Sequence, residues 1–240
     1  VVAKEVATLE ALSGGRTMLG VGLGWDEREF RSLGIPLPER GGRLDELLEV
    51  LPRLLTERDV THAGRYYRFE GVSIDPRLDR VPPIWIAGGG KIRTSLSPDP
   101  TSIAEPVLRR IARCGRWMSR GAGSQEMVKA DWETIKIYLE RHGKKPEEVT
   151  FGHGNWVHLV DAKDRESALR QQQPLFERAM GAHRSFEHLR QCYFMGTTSE
   201  ITDRIEDLRQ AGLQHLVVGL LDYDLEQLDR WASEVIPHFT

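Results

Sequence analysis

Residues 82–90 read PPIWIAGGG, a short apolar run that follows two prolines and ends in three glycines. An apolar run of this length, bounded by Pro and Gly, predicts a buried β-strand over Ile84–Ala87. The glycines at its carboxyl end leave backbone N–H groups unobstructed ahead of a helix, where they can approach an anion. A flexible turn explains the same glycines equally well, so both interpretations of Gly88, Gly89 and Gly90 stay open.

The alternation of strand and helix continues on both sides of this segment. Further strands are predicted at residues 18–25, 116–119, 149–160 and 215–221. Amphipathic helices are predicted to end at Gly14 and to cover residues 39–56, 103–113, 124–143, 197–211 and 225–236. Continuous apolar strands that alternate with helices predict an α/β fold with a parallel sheet. A doubly wound sheet and an eight-stranded barrel both fit this pattern.

Two segments interrupt the alternation. Residues 59–70 carry a glycine turn between two short β-prone runs, which predicts an appended hairpin. Residues 163–195 are helical but polar and weakly patterned, so we interpret them as an inserted, peripheral cover. No repeat or linker divides the chain, and residues 1–240 are therefore predicted to form a single domain.

Composition excludes several classes of protein. Hydrophobic residues make up 40% and charged residues 29% of the 240-residue chain, as in ordinary globular proteins rather than collagen-like or disordered ones. The net charge of −3 provides no basic field for nucleic acid or anionic membranes. No apolar stretch approaches the roughly 20 residues of a transmembrane helix, and Cys114 and Cys192 are too few for a disulfide framework. We expect a cytoplasmic protein that binds neither nucleic acid nor membrane.

Glycines 20, 22 and 24 also follow a predicted strand and invite a dinucleotide-binding interpretation. Their spacing is GxGxG, whereas the dinucleotide fingerprint is GxGxxG at the start of a long helix. Residues 26–33 provide only about two helical turns before Gly34 and Pro36, so the dinucleotide-binding interpretation is disfavoured. Close strand packing explains the glycines.

Side chains that could carry catalysis are sparse. His153 and His158 lie on one predicted strand with a spacing that points them to opposite faces, which argues against a shared metal ion. Cys114 lies at an apolar helix end and is predicted to be a small core residue. The acidic residues Asp45, Glu46 and Glu49 are predicted to lie on a solvated helix face.

Six segments together resemble one known family. They are AKEVATLEALSGGR, MLGVGLGWDEREFRSLGIP, ERGGRLDELLEVL, GRYYRFEGV, PPIWIAGGG and GTTSEITDRIEDLRQAGLQHLVV. Their order resembles the bacterial luciferase-like superfamily over essentially the whole chain, and within it the branch of F420-dependent (deazaflavin) oxidoreductases. The resemblance implies a (β/α)8 TIM barrel with insertions, in which the first strand seen here is the family's fourth.

The resemblance then implies that three strands, or roughly 80 residues, precede Val1. Two features of the sequence agree with this expectation: the first residue is not methionine, and an apolar helical stripe is already present there. The resemblance places the family's active-site histidine and a cis peptide beside the cofactor ring in those strands. No catalytic residue is therefore named in this chain.

The resemblance also implies a cofactor cradle at the carboxyl ends of three strands. It comprises Gly24, Trp25 and Asp26 after the first strand, Gly88, Gly89 and Gly90 after the next, and Ser119, Arg120 and Gly121 after the third. Luciferases proper carry an arginine near the position of Leu23 that holds the flavin phosphate. Its absence favours F420 over FMN, and Lys91, Arg93 and Arg120 are candidates for contacting the acidic tail of F420.

The implied activity is transfer of a hydride between F420, or a flavin, and a small organic substrate. One alternative is an FMN-dependent monooxygenase that uses O2 and reduced flavin, and a second is a non-catalytic barrel relative. The family expectation for partners is a homodimer and a reductase that supplies reduced cofactor. No metal site is predicted.

Overall fold

The structure is a computed structural model that describes residues 1–90, 102–181, 184–221 and 224–239. These residues form two compact units. One comprises Val1–Ala87 and Glu105–Arg116, and the other comprises Gly88–Ala104 and Trp117–Thr240. The predicted α/β class is confirmed, because parallel strands alternate with helices in the part of the chain that is described.

The first unit contains one parallel strand pair and one hairpin. Its helices are α1 (Val2–Ser13), α2 (Glu27–Ser32), α3 (Arg40–Thr56) and α4 (Glu105–Cys114), and its strands are β1 (Leu19–Val21), β2 (Val60–Ala63), β3 (Arg68–Val72) and β4 (Ile84–Ala87). Strands β1 and β4 are parallel, with Leu19 opposite Ile84. Strands β2 and β3 form an antiparallel hairpin at the place where the sequence predicts one.

Strand β1 is shorter than the strand predicted over residues 18–25. It ends at Val21, and Gly24 then adopts a left-handed φ of 70° that turns the chain toward α2. Trp25, predicted inside the buried strand, is 80% exposed. The apolar run therefore predicted the strand correctly, but its glycines end the strand early.

Helices α1 and α3 pack together through small and branched side chains. Ala3, Val6 and Ala7 of α1 form one buried cluster with Leu51 and Leu55 of α3. Each fully buried leucine contributes about 1.5–3 kcal/mol of transfer free energy. The end of α1 is fixed by Gly14, whose φ of 64° allows its N–H to bond the last carbonyls of the helix.

The acidic face of α3 is not simply solvated, as its sequence suggested. Asp45 accepts two hydrogen bonds from the buried guanidinium of Arg110 on α4, at 2.7 and 3.0 Å. Glu46 accepts the backbone N–H groups of Tyr66 and Tyr67 at 3.0 and 2.8 Å. These carboxylates attach α4 and the hairpin to α3, so the prediction was wrong for both residues. Glu49 is exposed, as predicted.

The second unit contains three neighbouring strands and their helices. Its strands are β5 (Arg116–Ser119, in this unit from Trp117), β6 (Thr150–Val157) and β7 (His215–Leu220), and its helices are α5 (Gln125–Arg141), α6 (Arg165–Met180), α7 (Phe186–Cys192), α8 (Thr198–Gln210) and α9 (Leu225–Arg230). The strand order is β5-β6-β7, and β6 and β7 are parallel from the Gly152–His215 pair to the Val157–Leu220 pair.

Aromatic rings fill the space between these strands and α5. The ring centroids of Trp117 and Phe151 are 4.8 Å apart, and those of Trp132 and Phe151 are 5.1 Å apart. All three side chains are buried. The stacked rings hold α5 against β5 and β6, which fixes the positions of polar side chains on the same elements.

Helices α6 and α7, within the segment 163–195, share a hydrophobic cluster. Leu169, Phe176 and Leu189 are buried in one hydrophobic cluster. Gln172 is fully buried, and its side chain bonds the carbonyls of His158 and Gly196 at 2.7 and 3.0 Å and accepts the Gly196 N–H at 2.8 Å. This polar residue satisfies backbone groups inside the core and interrupts the apolar pattern, which explains why the segment is weakly patterned in sequence.

Candidate functional site

The second unit brings together two of the three predicted cradle segments. Ser119 is the last residue of β5, and Arg120 and Gly121 follow it. The Gly88 N–H donates to the carbonyl of Met118, 3.1 Å away, which places the glycine turn beside the end of β5. Carboxyl ends of parallel strands are where α/β proteins bind ligands, so this edge is the candidate site.

An ion pair lies across the glycine turn. Arg120 Nη2 donates to Asp131 Oδ2 at 2.6 Å, and Arg120 Nη1 donates to the Gly90 carbonyl. Both Asp131 oxygens accept the Gly90 N–H at 3.2 Å. Burial raises the pKa of Asp131, while the charge of Arg120 and the Gly90 N–H act in the opposite direction. The Asp131 carboxylate thus accepts the Gly90 N–H, which the glycine pattern predicts to be a donor to an anionic ligand.

This pair also supplies a structural reason for glycine at two positions. A Cβ atom on Gly89 would lie 2.4 Å from Asp131 Oδ2 and 3.1 Å from Arg120 Nε. A Cβ atom on Gly123 would also lie 3.1 Å from Arg120 Nε. The side chains of Arg120 and Asp131 therefore occupy the space that a larger residue would need.

One nitrogen of the Arg120 guanidinium, Nε, makes no hydrogen bond to the described residues. This atom is buried, and no acceptor lies within hydrogen-bonding distance of it in the described ranges of the chain. A buried donor without an acceptor costs about 1–3 kcal/mol. A ligand oxygen at this position would recover that cost, so Arg120 fits a phosphate-bearing cofactor. Gly88 and Gly90 do not fit the predicted role as open N–H donors, because Met118 and Asp131 already accept from them.

Gly121 lies against strand β6. A Cβ atom on this residue would lie 2.9 Å from the Gly154 carbonyl oxygen. Glycine is required here because the two backbones approach each other closely. The segment after β5 is therefore held at a fixed distance from β6.

Ser119 belongs to a buried polar chain that runs along β6. Its Oγ lies 2.6 Å from Nδ1 of His153, and Nε2 of His153 lies 3.0 Å from Nδ2 of Asn155. All three side chains are buried. Burial, with a smaller contribution from Arg204, lowers the pKa of His153 to about 4, so its ring is neutral near pH 7.

The third predicted segment lies in the first unit. The Asp26 carboxylate caps α2 by accepting the Arg28 N–H at 2.9 Å, and it pairs with the Arg28 guanidinium at 2.8 Å. These bonds to Arg28 lower the pKa of Asp26 to about 2. A Cβ atom on Gly24 would lie 3.1 Å from the Phe30 ring. Gly24 and Asp26 therefore have local structural roles, and Trp25 is exposed.

Sequence reasoning missed Asp131 and His153. Asp131 lies on the apolar face of α5, three residues after Val128 and four before Ile135, where a charged residue is a visible exception. The sequence pattern identifies His153 only as a candidate metal ligand. The described residues contain no group of three or more His, Cys, Asp or Glu side chains that could hold a metal ion. Lys91 and Arg93, proposed for the F420 tail, lie outside the described residues.

Residues 1–97 match the family model described as luciferase-like monooxygenase. The predicted resemblance is confirmed. Among curated relatives, an uncharacterized protein of Mycobacterium tuberculosis (strain ATCC 25618 / H37Rv) is 35% identical over 154 residues, which are 62% of this chain and 46% of that protein. The match thus spans about half the length of this mycobacterial relative.

Two longer matches differ in their cofactor. An FMNH2-dependent dimethylsulfone monooxygenase of Pseudomonas putida is 23% identical over 267 residues, covering 98% of this chain and 69% of that enzyme. An F420-dependent glucose-6-phosphate dehydrogenase of Microbacterium testaceum is 26% identical over 254 residues, covering 99% of this chain and 73% of that enzyme. Both flavin and deazaflavin enzymes are therefore represented among the luciferase-like relatives.

Two solved structures share the fold. Monooxygenase RslO1 from Streptomyces bottropensis superposes with a TM-score of 0.75 at 24% identity, covering 100% of this chain and 74% of that one. An F420-dependent secondary alcohol dehydrogenase, in complex with an F420–acetone adduct, superposes with a TM-score of 0.74 at 19% identity, covering 100% of this chain and 74% of that one. At these identities the likeness shows the fold alone. Among the helices described, none has the length and apolar character needed to cross a membrane.

Proposed function

We propose that this chain belongs to an oxidoreductase that transfers a hydride between F420 and a small organic substrate. The observation that carries the proposal is the segment Ser119–Gly121 at the end of β5, with the buried Nε–H of Arg120 available to an anionic cofactor. The luciferase-like relatives, which include F420 and FMN enzymes, support it. We further propose that residues 1–240 form a single domain and that the whole protein closes an eight-stranded barrel.

The chain's own residues would bind and orient the cofactor. Arg120 is anchored by Asp131, which holds its guanidinium in place and leaves Nε for a ligand oxygen. The Ser119 hydroxyl offers a second polar contact at the same strand end. Bound F420 would supply the hydride chemistry. Gly88, Gly89 and Gly90 would shape the site around the Arg120–Asp131 pair. We also propose Gly24, Trp25 and Asp26, which lie in the first unit, as cofactor-binding residues.

A second candidate is an FMN-dependent monooxygenase that consumes O2 and needs a reductase to supply reduced flavin. The relative from Pseudomonas putida, an FMNH2-dependent monooxygenase, favours this candidate. Leu23 disfavours it, because luciferases proper carry a phosphate-binding arginine near that position. A non-catalytic barrel relative is the third candidate. A homodimer and a cytoplasmic location belong to the proposal, the latter supported by the free thiols of Cys114 and Cys192.

Titration of the protein with F420 and with FMN, at low and at high salt, tests the proposal. We expect F420 to bind more tightly than FMN, and the preference to shrink when salt screens the acidic tail of F420. Oxygen consumption in the presence of reduced flavin distinguishes the monooxygenase. Tight binding of FMN without detectable binding of F420 would overturn the F420 assignment in favour of the monooxygenase. Binding of neither cofactor would favour the non-catalytic relative.

A further inference from the structure

The orientation of the Asn155 side-chain amide is fixed by backbone groups. Its Oδ1 accepts the N–H of Trp156 at 2.7 Å and the N–H of Phe194 at 3.3 Å. Its Nδ2 donates to the Cys192 carbonyl at 3.0 Å. A flipped amide would lose all three bonds, so the atom that faces His153 is the NH2 group.

This orientation fixes the tautomer of His153. The second hydrogen of Asn155 Nδ2 points to His153 Nε2, 3.0 Å away, so Nε2 must be the acceptor. In a neutral imidazole the proton is then on Nδ1, which donates to Ser119 Oγ at 2.6 Å. A doubly protonated ring would place the Nε2–H against the hydrogens of Asn155.

The Ser119 hydroxyl hydrogen is therefore directed away from His153. In the parts of the chain that the structure describes, the His153 ring is the only hydrogen-bond partner of Ser119 Oγ. Ser119 is 5% exposed, and its buried hydroxyl hydrogen has no acceptor among the described residues when Oγ accepts from His153. The residue ends β5, on the edge where a ligand is expected.

We infer that His153 and Asn155 are positioning residues that hold the Ser119 hydroxyl as a hydrogen-bond donor to an acceptor atom of the bound cofactor. The inference rests on the proposed function for the identity of the ligand. The direction of the hydrogen bonds follows from the backbone contacts that fix the Asn155 amide, and it makes His153 a donor to Ser119 rather than a base that removes its proton.

The tautomer is measured by long-range proton–nitrogen NMR on the 15N-labelled protein. We expect a proton on His153 Nδ1, a bare Nε2, and no titration between about pH 5 and 8. His153→Gln assigns the signals by their loss, and Asn155→Asp assigns them by their shift if the first variant does not fold. A proton on Nε2 in the wild-type protein would overturn the inference.

Cofactor affinity tests the role of the hydroxyl. Ser119→Ala should weaken binding of the cofactor by roughly threefold to tenfold, the value of one hydrogen bond. Asn155→Asp presents a carboxylate oxygen to His153 Nε2, moves the ring proton there, and turns the hydroxyl toward the freed Nδ1. We expect it to weaken binding to a similar extent. Ser233→Ala, at an exposed serine, is the control and should leave the affinity unchanged.

The double variant Ser119→Ala/Asn155→Asp separates a positioning role from a structural one. If Asn155 and His153 act through Ser119, the double variant binds the cofactor as Ser119→Ala does. Additive losses, or an unchanged affinity in Ser119→Ala, would overturn the inference while leaving the proposed function intact. A wild-type protein that binds neither F420 nor FMN would instead refute the proposed function, and the inference with it.

Discussion

Arg120 and Asp131 form an ion pair that is largely shielded from water, with Nη2 of the guanidinium 2.6 Å from Oδ2 of the carboxylate. The pair connects the segment after β5 to α5 and, through Gly90, to the glycine turn. It therefore holds together the two proposed cofactor-binding segments of the second unit, the glycine turn and the residues after β5. Its geometry gives two predictions that need no cofactor.

Asp131→Asn should strongly destabilise the protein. The amide oxygen can still accept the Gly90 N–H, but the buried Arg120 loses its counter-charge. Removing one partner of a buried pair typically costs about 3–5 kcal/mol, because the other charge is left without compensation. Urea denaturation measures the loss.

The matched control for this variant is Glu133→Gln on the same helix. Glu133 pairs with Lys136 at the surface, and its side chain is 60% exposed. An exposed pair of this kind is worth about 0–1 kcal/mol. Equal losses in the two variants would show that Arg120 does not depend on Asp131.

Gly89→Ala should destabilise the protein in the absence of any cofactor. The new Cβ atom would lie 2.4 Å from Asp131 Oδ2, so the ion pair must shift, at a cost of about 1–3 kcal/mol. Gly20→Ala is the control, because a Cβ atom on Gly20 meets nothing within 4 Å. If Gly89→Ala unfolds at the same urea concentration as the wild-type protein, the ion pair does not need this space, and a role of Gly89 in ligand binding alone is favoured.

The sequence predicted those features that depend on neighbours along the chain. Prolines and glycines mark the ends of β4, and Ser124 caps α5 as its position before an apolar stripe indicates. Features that depend on distant partners were missed. The role of Asp131 depends on Gly90, 41 residues earlier, and that of Glu46 on the N–H groups of a hairpin 20 and 21 residues later.

Polar residues inside the core were the main source of error, because hydrophobic periodicity treats them as surface. Gln172 and His153 are both buried and hydrogen-bonded, yet each interrupts the apolar pattern of its element. Gln172 bonds backbone groups outside its helix, and His153 bonds Ser119 on a neighbouring strand, and periodicity does not reveal such partners.

Acid should weaken the attachment of the hairpin to α3. Burial raises the pKa of Glu46, but bonds from the N–H groups of Tyr67 and Tyr66 and from His62 outweigh it, so the folded-state pKa is below the ordinary value. A lowered carboxyl pKa contributes stability that is present above the unfolded value of about 4.3 and is lost as the pH falls through the folded value.

Glu46→Gln tests this dependence. The free energy of unfolding, measured by urea denaturation from about pH 6 to pH 3, should fall less steeply with acid in the variant than in the wild-type protein. Glu49→Gln, an exposed glutamate on the same helix, should leave the slope of the wild-type protein unchanged. A Glu46→Gln protein with the wild-type slope would show that Glu46 does not titrate differently in the folded state.

Gln172→Leu should destabilise the second unit although it replaces a polar residue with an apolar one of similar size. The buried amide of Gln172 makes three bonds to backbone groups of His158 and Gly196. Leucine cannot replace these bonds, and each buried group left without a partner costs about 1–3 kcal/mol. Gln171→Leu is the matched control, because Gln171 is exposed and makes one surface hydrogen bond to the Asp161 carbonyl. We expect a loss of at least about 2 kcal/mol in urea denaturation for Gln172→Leu and less than about 0.5 kcal/mol for the control. A stabilised Gln172→Leu protein would show that water or a rearranged backbone satisfies these groups, and that α6 is held by its apolar contacts alone.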